Sequence, residues 1–481
     1  MRDLRLGWIL VLALPLVPAL VAACGGDDSN PSGSSATTTA SGGAGPGGAG
    51  GAGGAGVGGA GGGAGGSSSG ELPTFERILV DSVPGAAWVS IADIDDDGKL
   101  DLVVSGFGTV GGMSLPNGEV RLYTQGATLS DWTLAPIVPT TEGVKFPNRT
   151  TLTDVDGDGD LDVILPAGFL VCTVIPGGQP CGALLWYEQA AAGWVRHEVV
   201  PGGAQLFYHS AEHVDFDGDG VKDLVTVGEA KGSQGPMTPD QAKTQWFKGT
   251  QGPERFESTP REVGDGLGSL PSVADVDGDG DLDVLSAEFF VPEGSFAWME
   301  RTQDPGPNNP AGTFVRRVID ADSGPSIMLQ LVPDLYGDGV LRAVGTNHTN
   351  TAKSPPDAHP EAVFVFDIPA DPTQPWTKTA ISTGIQSVPG SIFAPQAAPG
   401  IFAPGDVNGD GDIDLVVSGD GDPRVLWLDQ IAPEQWETRV LEADLAQAGG
   451  LHVVDLDGDG RNEIVVTGYV DNALYVYVRQ P

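Results

Sequence analysis

Asp154-Val155-Asp156-Gly157-Asp158-Gly159-Asp160-Leu161-Asp162, followed directly by Val163-Ile164-Leu165, decides how this chain is built. Carboxylates recur at alternate positions, a glycine stands sixth, and an apolar β-branched run comes next. Hard oxygens wrapped round a turn that glycine permits make a cage for a hard cation, and the cage closes into a strand. The same pattern begins again at Asp93, Asp215, Asp275, Asp334, Asp406 and Asp455, with starts 61, 61, 60, 59, 72 and 49 residues apart. A near-constant period of this order marks a solenoid, a propeller or an array.

The sequence around each copy reads as strands. An apolar segment leads in, as in Ala87-Trp88-Val89-Ser90-Ile91-Ala92, and a β-branched one leads out, as in Leu102-Val103-Val104-Ser105. After a loop of variable length comes a third segment ending in aromatics, such as Leu184-Leu185-Trp186-Tyr187-Glu188, Gln245-Trp246-Phe247 or Val425-Leu426-Trp427-Leu428. A turn then precedes a fourth, Trp194-Val195-Arg196-His197-Glu198 or Trp436-Glu437-Thr438-Arg439-Val440. Short runs between turn signals are strands, and no segment carries a helical period. Seven copies of four strands give an all-β fold, a seven-bladed β-propeller with four-stranded blades. The last copy has only three strands, ending at Ala473-Leu474-Tyr475-Val476-Tyr477-Val478, while Phe75-Glu76-Arg77-Ile78-Leu79-Val80 is an orphan of the fourth-strand type. The N-terminal strand is therefore expected to complete the last blade, which leaves no free sheet edge. A linear array is the alternative.

The whole chain has 481 residues, 24 basic against 65 acidic, a net charge of −41. Nucleic acid is excluded as a partner, because phosphate binding needs clustered Lys and Arg. The first 23 residues have the make-up of an export leader: Arg2 and Arg5, then an apolar stretch. Val21-Ala22-Ala23-Cys24 resembles a bacterial lipobox, which implies a lipid on Cys24 and membrane attachment through it. Gly25 and Gly26, in place of aspartate, resemble the outer-membrane sorting pattern of Gram-negative lipoproteins. Residues 24–71 are Gly, Ala and Ser with little apolar bulk, a flexible tether, and residues 72–481 form the propeller. Cys172 and Cys181 are expected to form a disulfide in an oxidising compartment.

The acidic motif suits calcium, which takes six to eight oxygens in irregular geometry, better than magnesium with its strict octahedron. An EF-hand needs a glutamate at position twelve. Here that position is Val104, Leu165, Thr226, Ser286, Val417 or Val466, and the last acid is at nine. These residues resemble the FG-GAP repeats of integrin α-subunit propellers and the related bacterial VCBS repeats. The resemblance implies a calcium site in six copies, with position seven binding through its carbonyl. The first site would be Asp93, Asp95, Asp97, Lys99 and Asp101, and the second Asp154, Asp156, Asp158, Asp160 and Asp162. The third would be Asp215, Asp217, Asp219, Val221 and Asp223; the fourth, Asp275, Asp277, Asp279, Asp281 and Asp283. The sixth would be Asp406, Asn408, Asp410, Asp412 and Asp414; the seventh, Asp455, Asp457, Asp459, Arg461 and Glu463. The fifth copy keeps Asp334 and Asp338 but has Tyr336 and Arg342 at positions three and nine, and is expected to hold an internal salt bridge from Arg342 to those two carboxylates instead of a cation.

The resemblance also places the calcium loops on one face, between first and second strands, and partners on the other. Long second-to-third loops fall at 106–118, 167–182, 229–243 and 346–361, with a Pro-rich lead-in to blade six at 382–404. Loops of this size on a rigid scaffold are commonly functional. Trp88, Arg149, Tyr208 and His209 begin inner strands, where they could line the channel mouth, with Glu212 and His213 nearby; packing in the core is the other account of them. The expected function is a calcium-binding, lipid-anchored, monomeric module of the cell envelope that binds or adheres to a protein or polysaccharide without catalysis. The alternatives are a lyase-like polysaccharide-degrading enzyme, with Arg149, Tyr208, His209 and Glu212 converging at the channel mouth, and a purely structural envelope protein.

Overall fold

The computed structural model describes residues 72–480, apart from 109–114, 175–176, 231–240, 269, 292–293, 390–396, 420, 444 and 446. The expected leader, Cys24 and the tether lie outside the described residues, as do parts of the long loops at 106–118, 229–243 and 382–404.

Seven four-stranded antiparallel sheets follow one another along the chain. In blade two the order from the inside outward is Thr151–Thr153, Asp162–Ala167, Gly182–Ala190 and Gly193–Ala204. Each second strand is flanked within its blade and covered on both faces, so it reads as one apolar run. Asp101–Gly106, Asp162–Ala167, Asp223–Ala230 and Glu463–Gly468 are buried throughout. Outer strands face solvent on one side and alternate instead, as in Phe75–Ser82 and Gln435–Glu442.

Packing is divided among the blade interfaces. One apolar cluster lies between each adjacent pair of blades, among them Ile164, Trp186, Tyr208 and Leu224 between blades two and three. Val89, Leu102, Val465 and Val476 join blade one to blade seven, which closes the ring by packing. The ladder closes it too. Phe75–Ser82 pairs antiparallel with Ala473–Arg479, from Phe75 opposite Arg479 to Ser82 opposite Ala473. The repeat period also appears as hydrogen bonds between residues sixty apart. Ser90 Oγ donates to the Thr150 carbonyl at 2.7 Å, and Thr151 Oγ1 to the Ala211 carbonyl at 2.6 Å.

The loop after the second strand of blade two departs from the strand-only reading. It holds one short helix, Val171–Val174, whose Cys172 is bonded to Cys181. The 3-10 turn Thr140–Glu142 is the other helical element among the described residues.

Candidate metal loops and the opposite face

Each acidic loop runs from the end of an inner strand to the start of the second. Its first aspartate holds the turn. In blade two Asp154 Oδ1 accepts from Gly157 N at 2.6 Å and Oδ2 from Gly159 N at 3.2 Å. Both glycines have positive φ, +82° and +104°, which explains glycine at positions four and six. Carboxylates at three and five accept backbone N–H groups two residues on, as Asp156 does from Asp158 and Asp158 from Asp160.

The ninth residue is a buried brace. Asp162, 1% exposed, accepts from Val155 N at 2.9 Å within its own loop and from Gln189 N at 2.8 Å on the third strand. Asp101, Asp223, Asp283 and Asp414 repeat both bonds. Replacing Asp162 by alanine would strand two buried N–H donors. At roughly 1–3 kcal/mol each, the expected loss is about 2–6 kcal/mol by urea unfolding, and a loss under about 1 kcal/mol would refute the brace.

The donor sets fit a divalent cation. In blades one, two, three, four and seven, three carboxylate oxygens lie within 4.8 Å of one another. Ligands at about 2.3–2.6 Å from one ion are separated by no more than about 5 Å. The members are Asp93, Asp95 and Asp101; Asp154, Asp156 and Asp162; Asp215, Asp217 and Asp223; Asp275, Asp277 and Asp279; and Asp455, Asp457 and Glu463. Burial pushes Asp162 and Asp223 up to about 6, and Asp283 and Glu463 up to about 7, against the backbone bonds that pull them down. A buried anion so disfavoured is what a neighbouring cation relieves. In blade six Asn408 Oδ1 takes the place of one carboxylate and accepts from Asp410 N at 2.9 Å.

The loops also tie blades together. Gln125 of blade one donates to the Leu456 carbonyl of blade seven's loop at 2.9 Å. Gln189 reaches Ile94 at 3.2 Å, Gln430 reaches Leu335 at 2.9 Å, and Arg301 reaches Phe216. Each acceptor is the second residue of the preceding blade's loop, so ordering a loop orders an interface.

In two loops a largely buried cation of the protein's own is hydrogen-bonded to the carboxylates. In blade five Arg342 binds Asp338 through two bonds of 2.8 Å and Asp367 through a third, over the Tyr336 ring. The pairing with Asp338 is as expected from the sequence. In blade three Lys248 Nζ lies 2.8 Å from Asp217 Oδ1, 2.6 Å from Asp219 Oδ2 and 3.7 Å from Asp223 Oδ1. The sequence reading missed this lysine.

On the opposite face a chain of aromatic rings crosses six blades. Tyr469 meets Phe107 at 5.8 Å between centroids, Phe107 meets Phe146 at 5.2 Å, and Phe146 meets Phe169 at 5.7 Å. Phe169 continues to Phe207 at 6.2 Å, Phe207 to Phe290 at 6.1 Å, and Phe289 joins Phe290 to His348. Phe146, Phe207 and Phe290 are buried; Phe107, Phe169, Phe289, His348 and Tyr469 are half-buried above them. The signal was present in the sequence, because Gly106-Phe107, Gly168-Phe169 and Gly468-Tyr469 each end a second strand.

The channel-mouth candidates separate. Trp88 and Arg149 line a cavity of about 220 Å3 among the inner strands, with Gln330 and His452. Glu212 is half-buried, raised by burial and drawn down by Arg149. Tyr208 does not line the channel. It is 3% exposed, packed between blades two and three against Trp186 and Leu224, and burial pushes its hydroxyl up to about 12. His209 lies beside Phe169 and Phe207, its Nδ1 3.2 Å from Glu229 Oε2. His213 is hydrogen-bonded to Thr153 Oγ1 at 3.1 Å and pushed down to about 3 by burial.

The family model for the FG-GAP-like repeat matches residues 215–286 and 406–477. No curated protein matches the chain. Among solved structures, a thermostable family-43 glycoside hydrolase is 11% identical, with 75% of this chain and 95% of that one covered at a TM-score of 0.31. The Dos1 propeller is 10% identical over 85% and 80%, at 0.40. The V. cholerae biofilm matrix protein Bap1 is 12% identical over 84% and 89%, at 0.37.

Proposed function

We propose that this seven-bladed propeller, matched by the FG-GAP-like repeat model at residues 215–286 and 406–477, is a calcium-stabilised, non-catalytic binding module that takes polysaccharide on the face opposite its acidic loops. The aromatic chain from Tyr469 to His348 carries the reading. Half-exposed rings fixed over buried ones offer flat apolar surface at little entropic cost, which suits the apolar faces of sugar rings. Calcium would be structural, held by acidic loops but not by that of blade five, where Arg342 stands. The Tyr208 and His209 rings lie outside the cavity that Arg149 lines, which supports binding without catalysis, since general acid–base work needs its groups within reach of one substrate. Export and lipid attachment through Cys24 belong to the same proposal, and the Cys172–Cys181 bond supports an oxidising compartment.

The test is retention on a panel of immobilised polysaccharides with calcium present, read together with released fragments. Retention without release is expected. Phe107→Ala and Phe169→Ala should each weaken it about tenfold, the scale of losing one anchoring aromatic. Release of fragments would make the protein an enzyme. Unchanged retention in both variants would move the ligand off this face.

A further inference from the structure

One position on the third strand decides what each acidic loop is given as a neighbour. In blade three Phe247 pairs with Leu224, and the next residue is Lys248. The same register places Glu188 in blade two, Glu300 in blade four and Asp429 in blade six. It places Thr124 in blade one and Val478 in blade seven. Blade three alone among these six puts a cation there.

That cation is built in. Lys248 is 13% exposed and contacts carboxylates from positions three, five and nine together, Asp217, Asp219 and the wholly buried Asp223. Lys99 and Arg461 also touch their own loops, but each reaches only the fifth-position carboxylate, and they are 42% and 35% exposed. Those two can swing into water without emptying a cage. Lys248 bonds to Asp217 and lies 3.7 Å from Asp223, two of the three carboxylates that stand close enough together to hold a metal ion. An ammonium and a divalent ion cannot share oxygens at 2.6–2.8 Å, because their mutual repulsion adds to the lost hydrogen bonds.

We propose that Lys248 is a resident cation which replaces calcium in blade three, so that this loop is ordered without metal while its neighbours depend on it. The inference rests on the calcium reading above. It gives the ring two metal-independent loops, in blades three and five, set among metal-dependent ones.

The experiment is a count of calcium per chain after equilibrium dialysis of the full chain. Lys248→Met empties the cage, and Lys248→Glu reproduces blades two and four. Each should bind one calcium more than wild type, with a melting temperature that rises with calcium further than wild type's does. In the unmodified background, Asp217→Asn should leave the count unchanged, whereas Asp156→Asn in blade two should lower it by one. An unchanged count in both lysine variants, or loss of one calcium in Asp217→Asn, overturns the proposal and leaves the calcium reading standing. Should a lysine variant fail to fold, the two asparagine variants decide alone. A wild-type chain that binds no calcium overturns both.

Discussion

Deleting residues 72–82 is expected to abolish the cooperative melt and drive the chain into oligomers. The deletion removes all seven register pairs between Phe75–Ser82 and Ala473–Arg479 and leaves that strand as a bare edge. It also takes away Ile78 and Val80 from the blade-seven–blade-one cluster, and Leu72 from the cluster between blades six and seven. Asp81 goes too, which accepts from Tyr123 Oη at 2.8 Å and from Arg121 Nη1 at 2.9 Å, both on blade one. An unpaired edge recruits the edge of another chain. The loss falls on the one blade assembled from both ends of the ring, and it is comparable with a whole domain's stability of about 5–15 kcal/mol. Light scattering and thermal unfolding check it, with a peptide of residues 72–84 added back as the rescue. A monomer that melts within about 2 °C of wild type would contradict the closed ring.

The fold was legible because every blade states it again. A period near 60 residues set the blade count, and the buried second strands stood out as apolar runs that no solvent-facing strand could carry. The orphan strand at the N-terminus was found by subtraction, since the last copy was one strand short. The short helix Val171–Val174 and the 3-10 turn Thr140–Glu142 escaped, as three or four residues are too few to show a period.

The site was legible where it is local in sequence. Arg342 lies four residues from Asp338, so its pairing could be read directly. Lys248 lies 25 residues beyond Asp223 and meets it only through antiparallel register, which the motif itself does not state. Tyr208 was misplaced by one position of strand parity. Its ring turns into the interface between blades, while the next residue, His209, joins the rings at the face. The aromatic chain went unread for a different reason: most of its members follow the second strands, whereas the inner strands held the residues that seemed placed for a channel.

Removal of calcium is the second large effect. Extracellular calcium modules have Kd values of roughly 10⁻⁴–10⁻³ M. At about 10 mM calcium each loaded loop then contributes roughly 1.4–2.7 kcal/mol. Five loops, those of blades one, two, four, six and seven, together contribute on the order of 7–14 kcal/mol, which rivals the stability of an ordinary domain. The effect spreads because Gln125 and Gln189 bond to the loops of blades seven and one, so a slack loop loosens an interface as well as a turn. The direct measurement is a thermal melt of the purified chain in about 10 mM calcium and again in excess chelator. The expected result is a fall in Tm on the order of 10 °C or more, reversed by calcium and not by the same concentration of magnesium. Superimposable melts would mean that the acidic loops hold themselves, through their own backbone bonds, and that the ring does not depend on metal.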